Sequence, residues 1–276
     1  MSAFLETMIR SSAARAAEAR ARAPLRALER RLASAPPTRP LRPSPEGFDL
    51  LAEIKPASPA SGRLASGSIP GLVSRAEAYA AAGAAAISVL TEPDRFGGDL
   101  SHLSAVAGAV PVPVMRKDFL VDPYQVLEAR AAGASGILLI VRLHDRVGLA
   151  AMIRTARDAG MFVLLECFDG DDARRAVEAA GGDPDGQILF GVNARDLDTL
   201  KVDRGRLASF RPAFPAGSYV VAESGTEVPA DVEHAVALGY AAVLVGTALM
   251  RAADPAALAR DMISAGRRAN VTGGAR

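Results

Sequence analysis

PVPVMRKDFLVDP, residues 111–123, reads as an apolar run that ends in charge. Val112 to Met115 make the run, Arg116, Lys117 and Asp118 its tip, and Pro123 closes the segment ahead of a helix. Lysine is scarce in this chain: of 32 basic residues only Lys55, Lys117 and Lys201 are lysine. Arginine keeps its proton in a protein, whereas a partly buried lysine can be tuned into an acid or base. Lys55 and Lys117 both end predicted strands. Lys117 therefore reads as a proton donor, the alternative being a lysine that ends a strand at the surface.

The pattern repeats on either side. Glycines precede apolar runs at Gly83, Gly108, Gly133, Gly160, Gly182, Gly217 and Gly239. Before four of them the chain is an Ala-rich amphipathic helix: AEAYAAAG, VLEARAAG, RTARDAG and VEHAVALG, each glycine placed as a helix C-cap. The runs after these glycines, AAAISVL, SGILLIV, MFVLL and AAVLV, are apolar on both faces, as buried parallel strands are. Eight strands are predicted: Leu50–Lys55, Ala86–Thr91, Val112–Lys117, Gly136–Val141, Phe162–Glu166, Ile188–Asn193, Tyr219–Glu223 and Ala242–Gly246. Eight βα units of about 25 residues fit a TIM (β/α)8 barrel, with a doubly wound sheet as the structural alternative.

Polar residues collect at the strand ends, AEIK, LTE, MRKD, LLE, GVNARD, VAESG and VGT, where a barrel builds its active face. Glu53 and Lys55 are two apart, so both project to one side of strand one and Ile54 to the other. Such a pair can present charge to a substrate or serve as a structural ion pair. Ser224-Gly225 and Gly246-Thr247 end strands seven and eight, and a short helix can start at 247–251, which is the usual phosphate site of this fold.

The remainder bounds the function. At 276 residues and net charge +1, nothing points to a nucleic-acid partner, and no apolar run is long enough for a membrane span. Cys167 is the one cysteine, so an intrachain disulfide is excluded and a cytoplasmic setting is expected. His102, His144 and His234 have no metal-ligand spacing, so no metal is expected; the histidines read as structural or solvated and Cys167 as a buried or loop thiol. Ser2 to Ala33 has helical spacing with its arginines on a solvated face, and five prolines between Pro36 and Pro45 form a stiff connector. The expected division is a helical extension with connector, 1–46, and a catalytic barrel, 47–276.

The stretches AEIKPASP, ISVLTEPDRFGG, VMRKDFLVDPYQVLEARAAGA, LLE, GVNARDL, VAESG and AVLVGTALMR, in this order, resemble the indole-3-glycerol-phosphate synthase family of tryptophan biosynthesis. The resemblance implies a lyase without cofactor that closes the indole ring of 1-(2-carboxyphenylamino)-1-deoxyribulose 5-phosphate with loss of carbon dioxide and water. It implies Lys117 as the general acid, Glu166 as the acid/base of dehydration and Lys55 as a second lysine near the anthranilate carboxylate. Glu53, Asn193 and Glu223 would orient the lysines and sugar hydroxyls, and Arg195 would face the departing carboxylate. Ser58, Ser224, Gly225, Gly246 and Thr247 would hold phosphate; Phe96, Phe119, Leu138 and Leu197 would wall the anthranilate ring. A tryptophan-pathway enzyme is the macromolecular partner it suggests. Ala60 stands where a second serine is usual, Ala194 replaces a small polar residue, Thr226 replaces an aliphatic one, and Thr247 stands where serine or glutamate is more frequent. These departures keep open a paralogue taking a modified anthranilate. Other readings are an isomerase on phosphoribosyl-anthranilate, which strand one argues against, and a non-catalytic phosphate-binding barrel.

Overall fold

The computed structural model describes residues 3–273 except 66, 182, 184, 185 and 198, so Ser2 and the repeat glycine Gly182 lie outside the described residues. Eight parallel strands close a barrel in sequence order. They are β1 (Asp49–Ile54), β2 (Ala86–Leu90), β3 (Val114–Lys117), β4 (Gly136–Ile140), β5 (Phe162–Cys167), β6 (Ile188–Asn193), β7 (Val220–Glu223) and β8 (Ala242–Val245). β1 closes the ring, pairing Asp49 with Ala242 of β8 and Leu51 with Ala86 of β2. A two-residue-per-strand hairpin, Ala57–Ser58 with Gly62–Arg63, decorates the loop after β1.

The strands are apolar on both faces because each face has its own core. Leu51, Met115, Leu138, Phe162, Leu164 and Leu244 fill the barrel interior. Leu50, Ala52, Ile54, Val89, Leu139 and Val163 belong to the layer beneath the surrounding helices. This alternation carries Glu53 inward and Ile54 outward. β3 begins at Val114, two residues later than the pattern predicts, because Pro111 and Pro113 have no N–H to give a ladder. The four C-cap glycines, Gly83, Gly133, Gly160 and Gly239, all adopt positive φ just past their helices.

The leading helix expected over residues 2–33 is two helices, α1 (Ala3–Arg22) and α2 (Leu25–Ala33). Pro24 divides them, since it lacks an N–H and its ring clashes with the preceding turn. α1 lies at the strand C-terminal ends, where Ser11 bonds Asp94 and Gln125 bonds Ser12. α2 runs down the barrel wall with Leu28 packed on Tyr124 of the helix Pro123–Ala131. The proline-rich connector then crosses the floor: the Arg39 N–H donates to Ser135 Oγ, the Ser44 N–H donates to Asp49 Oδ2, and Leu41 joins the interior cluster.

The arginines of α1 are not a uniform solvated face. Arg10, Arg20 and Arg22 are exposed, Arg20 pairing with Asp122 at 2.7 Å, but Arg15 is half-buried and forks onto Asp118 at 2.8 and 2.9 Å. Among the described residues no helix is long and apolar enough to cross a membrane.

Candidate active site

Three strand tips converge on one lysine. Lys117 Nζ, from β3, donates to Glu166 Oε1 of β5 at 3.0 Å and to Glu223 Oε2 of β7 at 3.3 Å. Asn193, ending β6, donates from Nδ2 to the same Glu166 Oε1 at 2.8 Å and accepts the Arg195 N–H on Oδ1 at 2.8 Å. Burial alone would lower the Lys117 pKa, but Glu166, Glu223 and Glu53 outweigh it and the net shift is upward. Lys117 is therefore a firmly held ammonium, loaded with the proton a general acid must give. Burial pushes the Glu223 carboxyl well above the usual range; Lys117 opposes that and the charge of Glu166 adds to it. Its Oε1 makes no hydrogen bond among the described residues.

β1 supplies a second pair. Lys55 Nζ lies 2.7 Å from Glu53 Oε1, as the period of the strand requires. Gly246 lies directly beneath: a Cβ there would collide with the Glu53 carboxylate and the Lys55 ammonium. Its lack of a side chain thus makes room for the ion pair, whatever else its N–H binds. Gly191 does the same for Glu223, whose Oε1 fills the place of a Cβ on that residue. Gly191 was not singled out from sequence; its signal was a glycine inside the apolar run of β6, where backbone or ligand approaches closely.

These groups line one cavity of about 320 Å³. Phe96, Phe119, Leu138 and Leu197 form its apolar wall. Phe119 is set edge-on against Phe4 of α1, ring centres 5.9 Å apart, and lies 6.4 Å from Phe96. Ser224, Gly225, Gly246 and Thr247 line it from the loops after β7 and β8, with the short helix Thr247–Arg251 starting there. Ser224 and Gly225 both have positive φ, 65° and 84°. For serine that conformation costs on the order of 1 kcal/mol, the kind of strain kept where a loop must hold a set shape. Ser58 is not among the lining residues: its Oγ accepts the Ser61 N–H at 3.2 Å, and Ala60 and Ser61 face the cavity instead. Arg195 lines it too, with Nη1 given to the Leu200 carbonyl at 2.8 Å and its pKa lowered by burial. Asp118 and Arg251 also line the cavity and were not anticipated as site residues.

Cys167 is buried beside Glu166, and burial raises its thiol pKa well above the ordinary value, so it is an inert core residue. His144 is nearly buried, with its pKa lowered to about 4 by burial and by Arg175.

Fold and site together define a (β/α)8-barrel protein whose strand tips carry a lysine–glutamate set around a pocket that is part apolar and part charged. Within that class the chain belongs to the indole-3-glycerol phosphate synthase family, whose model matches residues 5–262. An indole-3-glycerol phosphate synthase of Parafrankia sp. (strain EAN1pec) is 46% identical over 217 residues, 79% of this chain and 78% of the relative. One from Mycolicibacterium smegmatis is 43% identical over 239 residues, 86% of this chain and 85% of the relative. Among solved structures, 3-hexulose-6-phosphate synthase from Salmonella typhimurium superposes with a TM-score of 0.63 at 18% identity, covering 82% of this chain and 100% of that one. Orotidine 5′-phosphate decarboxylase from Pyrococcus horikoshii OT3 gives 0.59 at 12% identity, covering 79% and 99%. At such identities the likeness is one of fold alone.

Proposed function

We propose that the cavity converts 1-(2-carboxyphenylamino)-1-deoxyribulose 5-phosphate to indole-3-glycerol phosphate, releasing carbon dioxide and water. The observation that carries this reading is the Lys117–Glu166–Glu223 cluster, drawn from three strands and opening on the same cavity as Lys55–Glu53.

The chemistry derives from the groups present. As the ring carbon bearing the carboxylate attacks the sugar carbonyl, negative charge grows on the carbonyl oxygen. Lys117 gives that oxygen a proton and becomes the hydroxyl's source of hydrogen. The new bond breaks ring aromaticity, and loss of carbon dioxide returns the electron pair to the ring. Dehydration then removes one proton and expels the hydroxyl as water; Glu166, within reach of Lys117 and oriented by Asn193, handles that proton. Lys55 holds the substrate carboxylate near its ion-pair partner. Arg195 faces the cavity with one N–H already committed to Leu200, so it steers the carboxylate without clamping it. The Phe96 and Phe119 rings pack the anthranilate, and the β7 and β8 loops hold the phosphate.

A cytoplasmic setting and a tryptophan-pathway enzyme taking up the product belong to the same reading. The test is purified protein with the carboxyphenylamino-deoxyribulose phosphate, following product fluorescence and released carbon dioxide. Equal yields of the two support the reaction. Binding of the substrate with neither product contradicts it and directs the search to ring-substituted anthranilate derivatives.

A further inference from the structure

The tip of β3 is held by its ladder on one side only: Lys117 pairs with Leu90 of β2, and its carbonyl accepts the Thr91 N–H at 3.0 Å. On the β4 side the pairing covers only Met115 with Gly136 and Arg116 with Ile137, so it stops short of Lys117. Just past Lys117 the chain is held by Asp118, whose carboxylate is wholly buried between two cavity-lining residues, Lys117 and Phe119, and further on by Gln125 Oε1, which accepts the Val121 and Asp122 N–H groups. That carboxylate accepts five hydrogen bonds: two from Arg15 (2.8 and 2.9 Å), one from Thr91 (2.7 Å), one from Arg116 (3.2 Å) and one from the Phe119 N–H (2.8 Å). Thr91, Arg116 and Phe119 belong to the barrel or its loops; the Arg15 fork alone arrives from α1, 103 residues away. A planar guanidinium on a carboxylate fixes orientation as well as charge.

We propose that Arg15 is a positioning residue: its fork on Asp118 holds the β3 tip so that Lys117 stays aligned with Glu166 and Glu223. The inference rests on Lys117 being the general acid. Arg15 does not merely fasten α1, because the helix has other ties. Gln125 Nε2 donates to Ser12 Oγ at 2.9 Å, Tyr124 OH donates to the Ala19 carbonyl at 3.1 Å, and Arg20 pairs with Asp122. Arg20 lies on the same helix and makes an ion pair that does not touch the cavity, which makes it the matched control.

The experiment compares steady-state kinetics of Arg15→Ala, Arg15→Lys, Arg20→Ala and Lys117→Ala on the carboxyphenylamino-deoxyribulose phosphate, with melting temperatures for each. A displacement of about 1 Å at a reacting group costs on the order of 100-fold in rate, so Arg15→Ala is expected to lower kcat roughly 10- to 100-fold. KM changes less than kcat, Arg15→Lys falls in between, and non-denaturing guanidinium in the buffer restores part of the kcat of Arg15→Ala but none in Lys117→Ala. Arg20→Ala keeps the wild-type kcat. Should Arg15→Ala fail to fold, Arg15→Lys, which keeps the charge and loses the fork, carries the same test. An unimpaired kcat in Arg15→Ala, or an equal loss in Arg20→Ala, overturns the positioning role while an inactive Lys117→Ala leaves the general acid standing. Full turnover in Lys117→Ala overturns both.

Discussion

The Glu223 carboxylate occupies the space where Gly191 would carry a Cβ. A carboxylate that holds Lys117 is therefore seated by the absence of a side chain on the neighbouring strand. Gly191 has no positive φ, so alanine meets no backbone obstacle there. Gly191→Ala is expected to fold, push Glu223 off Lys117 and lower kcat on the order of 100-fold. Kinetics beside a melting curve checks this; wild-type turnover would show that Glu223 finds an equivalent seat. Gly246→Ala makes the parallel test at Glu53 and Lys55.

Glu166 shares one oxygen between Lys117 and Asn193. Glu166→Gln keeps the size and removes the proton acceptor. Acid–base groups contribute about 10² to 10⁴ in rate, and a fall in kcat of that order is expected. In single-turnover runs carbon dioxide release should persist while the dehydrated product lags. Carbon dioxide and product appearing together at the wild-type rate would remove Glu166 from dehydration.

The fold is legible in the sequence where burial leaves a local signal. The eight strands can be read because burial on both faces leaves an unbroken apolar run, and Glu53 and Lys55 can be paired because a strand repeats every two residues. Pro24 carries a readable helix-stop signal that the long helical spacing around it masks. Ser58 is assigned to the phosphate site by resemblance; that Ser61 lines the cavity shows only in the hairpin's turn, where the Ser61 N–H bonds Ser58 Oγ. The Arg15–Asp118 fork has no local signal at all. Its partners are 103 residues apart, and an arginine on an Arg-rich helix looks like solvated surface until the barrel places an acid beneath it.

The connector gives a prediction about stability without activity. Leu41 is 4% exposed and packs into the barrel interior from the floor, at the far end from Lys117. Leu41→Ala leaves a cavity and is expected to cost about 2–5 kcal/mol. Urea unfolding should show that loss while kcat at room temperature is unchanged.

His144 gives a pH dependence with a definite sign. Its folded pKa is lowered to about 4, chiefly by burial and then by Arg175, against about 6.5 unfolded. Above the unfolded value it is neutral in both states and costs nothing. Between the two values the unfolded chain binds the proton and the native one does not, so stability falls as the pH drops through that window, by roughly 3 kcal/mol in all. In His144→Gln that part of the decline disappears. Urea midpoints from pH 7.5 to 4 decide it; parallel curves for the two proteins would mean His144 is protonated in the native state.

The most direct measurement is turnover of the carboxyphenylamino-deoxyribulose phosphate by wild-type protein and Lys117→Ala side by side, followed by product fluorescence with substrate binding measured on both. The account predicts product from the wild type, and a variant that folds and binds substrate but forms no detectable product. Near-wild-type turnover by Lys117→Ala would contradict it.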